Sequence, residues 1–171
     1  MTDIATWLGQ QLDEDAMWAR EASRDRNGDV PTGSHWQWVN NHDDRVLTPD
    51  PATEEWLDED SEAGQPSLRS VEEFDTTSSY TLPQFPIHNA EEIRSAVAGH
   101  IARHDPARVL REVAAKRALL DLHRWQCCAR DVTGYTVIEW YDSRTDPCPT
   151  LRVMAAPYAD RDGYNPAWRV E

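Results

Sequence analysis

His123, Cys127, Cys128 and Cys148 are the side chains of this sequence whose types and spacing suit a metal centre. One helical turn separates His123 from Cys127, and a strand that doubles back over Tyr135 to Tyr141 would return Cys148 to their side. Zinc accepts imidazole and thiolate ligands in a tetrahedron, so a site of three Cys and one His is chemically reasonable. The spacing is not that of a known finger, because adjacent cysteines cannot easily both bind without strain. The competing role for each thiol is that of a small buried hydrophobe. A Cys-His nucleophile pair is less well supported, since no orienting Asn or Asp and no oxyanion turn stands near in sequence.

A second group is His100, His104 and Asp105. Residues four apart on a helix project from one face, so both imidazoles could reach one metal. With His123 added, they would hold a metal and leave a position for water, the arrangement of a small metal-dependent hydrolase. There is no Glu at position 101, so the HExxH pattern of metalloproteases is absent. In the structural alternative, His104 and Asp105 shape a corner between two helices and His100 packs beneath it. The third group is aromatic. Trp36 and Trp38 are expected on opposite faces of a strand, one ring inward and one left as a partner surface.

These groups must be positioned by a chain of 171 residues, the length of one domain, and a single domain over 1–171 is expected. No Walker loop, dinucleotide fingerprint or serine elbow is present. No apolar run is long enough to span a membrane. The N-terminus lacks the basic start and apolar core of a secretory signal, so a cytoplasmic location is expected. Three cysteines, an odd number, exclude a disulfide framework as the organising device. The formal net charge is −14, and it is uneven. Residues 1–75 hold nineteen acids and five arginines, whereas residues 76–171 hold twelve of each sign. This balance argues against a grip on nucleic-acid phosphates, which depends on Lys and Arg. Among the seventeen basic residues only Lys116 is a lysine, a skew that points to a GC-rich genome.

From Asp3 to about Arg24, Ile4, Trp7, Leu8, Leu12, Ala16 and Ala19 recur at three and four, which predicts an amphipathic helix. It stops at Asn27-Gly28, a pair suited to positive φ. His35 to Val39 and Arg45 to Thr48 read as two short strands of a hairpin. Thr48 to Ser67 is rich in Pro and acids, and is expected as a flexible acidic loop. Leu68 to Leu82 has the composition of one further strand, ended by Pro83 and Pro86. Asn89 is expected to cap a helix with Glu91 and Glu92 in its first turn. Asp105-Pro106 then breaks that helix and starts a second, with Val109, Leu110, Val113, Leu119, Leu120 and Leu122 facing the core. Thr133 to Tyr141 reads as a strand, and Cys148 to Ala156 as a short helix ending before Pro157. In the tail, Tyr158, Tyr164 and Trp168 can pin the chain to the body. The fold class is α+β: an N-terminal helix, a small antiparallel sheet, a central kinked helix pair, and a C-terminal strand and short helix.

The block GHIARHDPARVLREVAAKRALLDL from Gly99 to Leu122, with Cys148-Pro149-Thr150-Leu151-Arg152 and Pro157-Tyr158-Ala159-Asp160, resembles a family of uncharacterised small proteins of actinobacteria and their phages. The resemblance covers about two thirds of the chain and implies a host- or phage-encoded accessory protein, with no catalytic residue to carry over. Taken together, the sequence predicts a non-enzymatic protein that binds a protein partner, with the acidic and aromatic N-terminal part as contact surface. The alternatives are the metal-dependent hydrolase and an acidic mimic of nucleic acid. Zinc is the cofactor to test for, and neither nucleic acid nor membrane is an expected partner.

Overall fold

Helix α1 spans Ile4–Ala22 in this computed structural model, and Asp3 fixes its start. The Asp3 carboxylate accepts the N–H groups of Ala5 at 3.1 Å and Thr6 at 3.0 Å, which no carbonyl of the helix can reach. The apolar spacing of three and four puts Ile4, Leu8, Leu12 and Ala16 on one fully buried stripe. The structure describes residues 3–24, 33–57, 64–75, 81–83, 86–124, 129–131, 138–140 and 147–170. The expected helix stop at Asn27-Gly28 and the first part of the strand over Thr133 to Tyr141 lie outside them.

The remaining elements follow the α+β reading. Strands β1 (Trp36–Asn40), β2 (Val46–Leu47) and β3 (Pro66–Ser70) form an antiparallel sheet in the order β2-β1-β3. Strands β4 (Glu73–Asp75) and β5 (Thr81–Pro83) pair as one hairpin, and β6 (Ala129–Asp131) and β7 (Ile138–Trp140) as another. Helix α2 (Ser95–Arg103) is followed after two residues by α3 (Pro106–His123), and α4 (Pro149–Ala155) runs into a 3-10 turn at Ala156–Tyr158. A second 3-10 turn spans Pro166–Trp168. No described helix is long and apolar enough to cross a membrane.

The chain divides into two compact units. In the unit of residues 17–110, Trp38 faces Leu47 on β2 and Leu68 on β3, so one row of apolar side chains crosses the sheet. These three join Leu57 and Ala98 in a buried cluster. The Trp38 indole N–H donates to the Ala98 carbonyl at 2.8 Å, which satisfies its one polar atom and ties the sheet to α2. Trp36 packs against the same cluster. The two tryptophans therefore share a face and do not point to opposite ones, because strand side chains alternate with a period of two.

Three further expectations are corrected here. Leu68 to Leu82 is not one strand: β3, β4 and β5 all draw on it, with a bend at Val71 and Glu72 between the first two. Asn89 does not start a helix. It has φ +53° and Glu92 has φ +56°, and α2 begins only at Ser95. The backbone of this stretch is engaged elsewhere: Ile87 pairs with Leu68, Asn89 donates to the Ser67 hydroxyl at 3.0 Å, and Ser95 donates to the Glu55 carbonyl at 3.0 Å. Leu119 and Leu122, expected toward the core, are exposed, while Val113 and Leu120 are buried. The stretch expected as a loop contributes Leu57 to the core and Pro66 and Ser67 to β3, and its residues 58–63 lie outside the described ones.

In the unit of residues 1–16 and 111–171, Trp7 is the aromatic hub. Its ring lies 6.3 Å from Tyr158, 5.7 Å from Tyr164 and 5.2 Å from Trp168, and its N–H donates to the Asp162 carbonyl at 3.0 Å. The tail is thus held as its aromatic residues suggested. Beside the hub, the Tyr158 hydroxyl donates to Asp15 at 2.7 Å, and Arg161 donates to Glu14 and Asp15.

Candidate functional site

His123 is the last residue of α3, and Cys148 is the residue that precedes α4, whose first position is Pro149. Pro at that position has no N–H to leave unsatisfied, so the helix starts there and its preceding residue is extended. The result is an approach of the Cys148 Sγ to the His123 Nδ1 at 3.6 Å, with the thiol 1% exposed. That separation suits a thiol donating to an imidazole. It also matches the edge of a zinc tetrahedron, about 3.6 Å when Zn–S is near 2.3 Å and Zn–N near 2.05 Å. Cys127 and Cys128 lie outside the described residues. Among the described residues, no group of three or more His, Cys, Asp and Glu side chains is arranged to hold a metal.

His100 and His104 do come together. Their ring centres are 4.4 Å apart at an angle of 43°, on the last turn of α2 and the residue that closes it. Asp105 is engaged differently. Its carboxylate accepts the Arg108 N–H at 2.7 Å and so caps α3, as the Asp-Pro pair implies. His100, His104 and Asp105 belong to the unit of residues 17–110 and His123 to the unit of residues 1–16 and 111–171, and each group is described within its own unit.

Two features escaped the reading of the sequence. Ser34, His35 and Glu72 meet at the edge of β1. The Glu72 carboxylate receives the Ser34 hydroxyl at 2.8 Å and lies 2.6 Å from the His35 Nδ1. Burial works to raise its pKa, but the hydrogen bonds from His35, Ser34 and the backbone prevail and bring it down to about 2. The trio is no hydrolytic relay, because Ser34 and Glu72 both approach the same ring nitrogen, whereas a relay needs one on each. His35 and Glu72 are 37 positions apart and are brought together through the pairing of β1 with β3, so no local spacing announces them.

The other feature is Trp18. It stands 63% exposed on α1, next to Met17 at 46%. Helical geometry puts Glu14 and Glu21, four before and three after it, alongside the ring. The signal was present in the sequence: Trp18 falls off the buried stripe and among the acids.

The model of a family described as a family of unknown function (DUF6221) matches residues 1–170. No curated protein and no solved structure matches the chain.

Proposed function

We infer the role of this chain from its own surface, because the DUF6221 family to which it belongs is one of unknown function: it is a non-enzymatic accessory protein that binds a basic protein partner. The observation that carries this reading is Trp18, a large ring 63% exposed on α1. Tryptophan is the side chain most enriched among residues that dominate binding energy, since it buries a large area with few torsions to freeze. Trp18 belongs in sequence to residues 1–75, which hold the whole charge imbalance, nineteen acids against five arginines. An aromatic anchor on so acidic a stretch of chain complements a partner that presents a pocket ringed by Lys and Arg. The skew toward arginine and the sequence blocks Gly99 to Leu122 and Cys148 to Arg152 support an actinobacterial or phage source, and the partner is sought in the cytoplasm.

The test uses the full chain as bait in actinobacterial lysate, with Trp18→Ala beside it. The expected result is a protein captured by the wild type and released by salt. Trp18→Ala is expected to weaken its binding by roughly thirtyfold, about 2 kcal/mol. Identical capture by both baits, or capture by neither, overturns the reading.

The His123 and Cys148 pair favours a second reading, compatible with the first: a structural zinc centre completed by Cys127, Cys128 or both. A 3.6 Å nitrogen-to-sulfur separation is what two ligands of one zinc ion require. The hairpin of β6 and β7, two strands of three residues each, gains stability from such a staple. Elemental analysis of the purified protein should find one zinc per chain. Cys148→Ser should release it and loosen the C-terminal lobe while the central helices stay folded. A metal-free protein with unreactive thiols would show the cysteines to be ordinary core residues.

A further inference from the structure

Between Arg94 and Arg111 the chain carries four arginines and two histidines against a single acid, Asp105, although the protein as a whole has a net charge of −14. Folding gathers the middle of that stretch around a cleft of about 240 Å³ in the unit of residues 17–110. His100, Arg103, His104 and Arg108 line it, with Pro49 and Ser95 facing the same space. The wall is close: a Cβ on Gly99 would come within 3.3 Å of Pro49. Among the described residues no carboxylate lines the cleft. The two nearest in sequence are engaged with backbone amides, Asp105 with Arg108 and Asp50 with Ala52. Among the described residues neither Arg103 nor either imidazole has an ion-pair partner.

Setting the Arg103 guanidinium beside a second guanidinium, with no ion-pair partner of its own among the described residues, is unfavourable. The one local source of negative charge is the C-terminal end of α2, worth roughly half a unit. Its last carbonyls are already bonded: His104 donates to His100 and Ile101, and the Arg108 guanidinium donates to Arg103 at 3.0 Å. The Arg103 guanidinium, with a full unit of charge, outweighs that half unit by itself.

We propose that this cleft binds a phosphate group, free or as the ester of a small molecule. The Arg103 guanidinium supplies the fork that matches phosphate oxygens, and Arg108 supplies charge beside it. The imidazoles add N–H donors. The Ser95 hydroxyl, which accepts the Asp50 N–H at 2.6 Å, keeps its own proton to donate. A cleft of 240 Å³ has the space of about eight water molecules, which leaves room beside the phosphate for a small organic part against the proline rings.

Calorimetric titration of the full chain in chloride buffer, with inorganic phosphate and with phenyl phosphate, tests the proposal. One phosphate per chain is expected to bind, with at least a tenfold loss in Arg103→Gln. Arg20→Gln removes the same charge from an exposed position of α1 and should leave binding unchanged. Arg103→Lys, which keeps the charge but not the fork, should fall between. Tighter binding of phenyl phosphate marks the ester as the ligand, and equal binding marks the free anion. Both variants are exposed, and matching circular dichroism establishes that they fold. Absence of binding by either probe, or equal binding by Arg103→Gln and Arg20→Gln, overturns the proposal.

Discussion

The Glu72 carboxyl is held near pH 2 by groups that a single substitution can silence. A carboxyl depressed in the fold contributes stability above its ordinary value of 4.5 and loses it as the pH falls toward 2. The partners are half exposed and screened by water, so the effect is small, about 1–3 °C in Tm. Glu72→Gln is expected to melt lower than the wild type near neutral pH, and the gap should close between pH 4.5 and about pH 2. Thermal melts across that range check it. A gap that persists unchanged at the acid end would assign the loss to packing and not to charge.

At the scale of the element, Asp105 decides whether α3 starts where it does. Its carboxylate satisfies the Arg108 N–H, one of the amides that a helix leaves without a carbonyl partner. Asp105→Ala is expected to cost about 1 kcal/mol, read as a lower midpoint in urea with an unchanged slope, while Asp105→Asn should keep most of the cap. If Asn proved as damaging as Ala, the negative charge and not the hydrogen bond would be what matters there. Helix α1 gives the contrasting case. Trp18 contributes little to the fold at 63% exposure, so Trp18→Ala should change stability by no more than about 0.5 kcal/mol, which is what makes it a clean probe of binding.

At the scale of the whole molecule, the tail is held by Trp7, whose ring meets Tyr158, Tyr164 and Trp168 and is 3% exposed. Trp7→Ala removes those contacts and leaves a cavity, an expected loss of about 3–5 kcal/mol. Gly163 sits against the same ring with φ +80°, where a Cβ would approach the Trp7 Nε1 to 3.1 Å. Gly163→Ala should therefore destabilise by about 1–2 kcal/mol through backbone strain alone. Chemical denaturation of both variants checks the pair. A near-neutral Trp7→Ala would mean that the tail is held by other contacts.

What the sequence determined by itself is local. The apolar spacing of α1, the Asp105-Pro106 start of α3 and the strands β1 and β2 follow from interactions within four residues or from the alternation of a single strand. The same holds for α4, whose proline at the first position sets its start. The approach of Cys148 to His123 was legible as a possibility, because residue chemistry nominated the pair and chain return placed it. What only the tertiary structure decided involves partners distant in sequence. Asn89 has the credentials of a cap, yet its N–H goes to Ser67 and the following chain pairs with residues 55–57, so the helix waits until Ser95. Trp38 is a core residue and Trp18 an exposed one because the sheet and α2 cover the first and nothing described covers the second. The cationic cleft likewise exists only once Pro49 and Ser95 are brought against the last turn of α2, since periodicity can say which residues share a face but not what that face will meet.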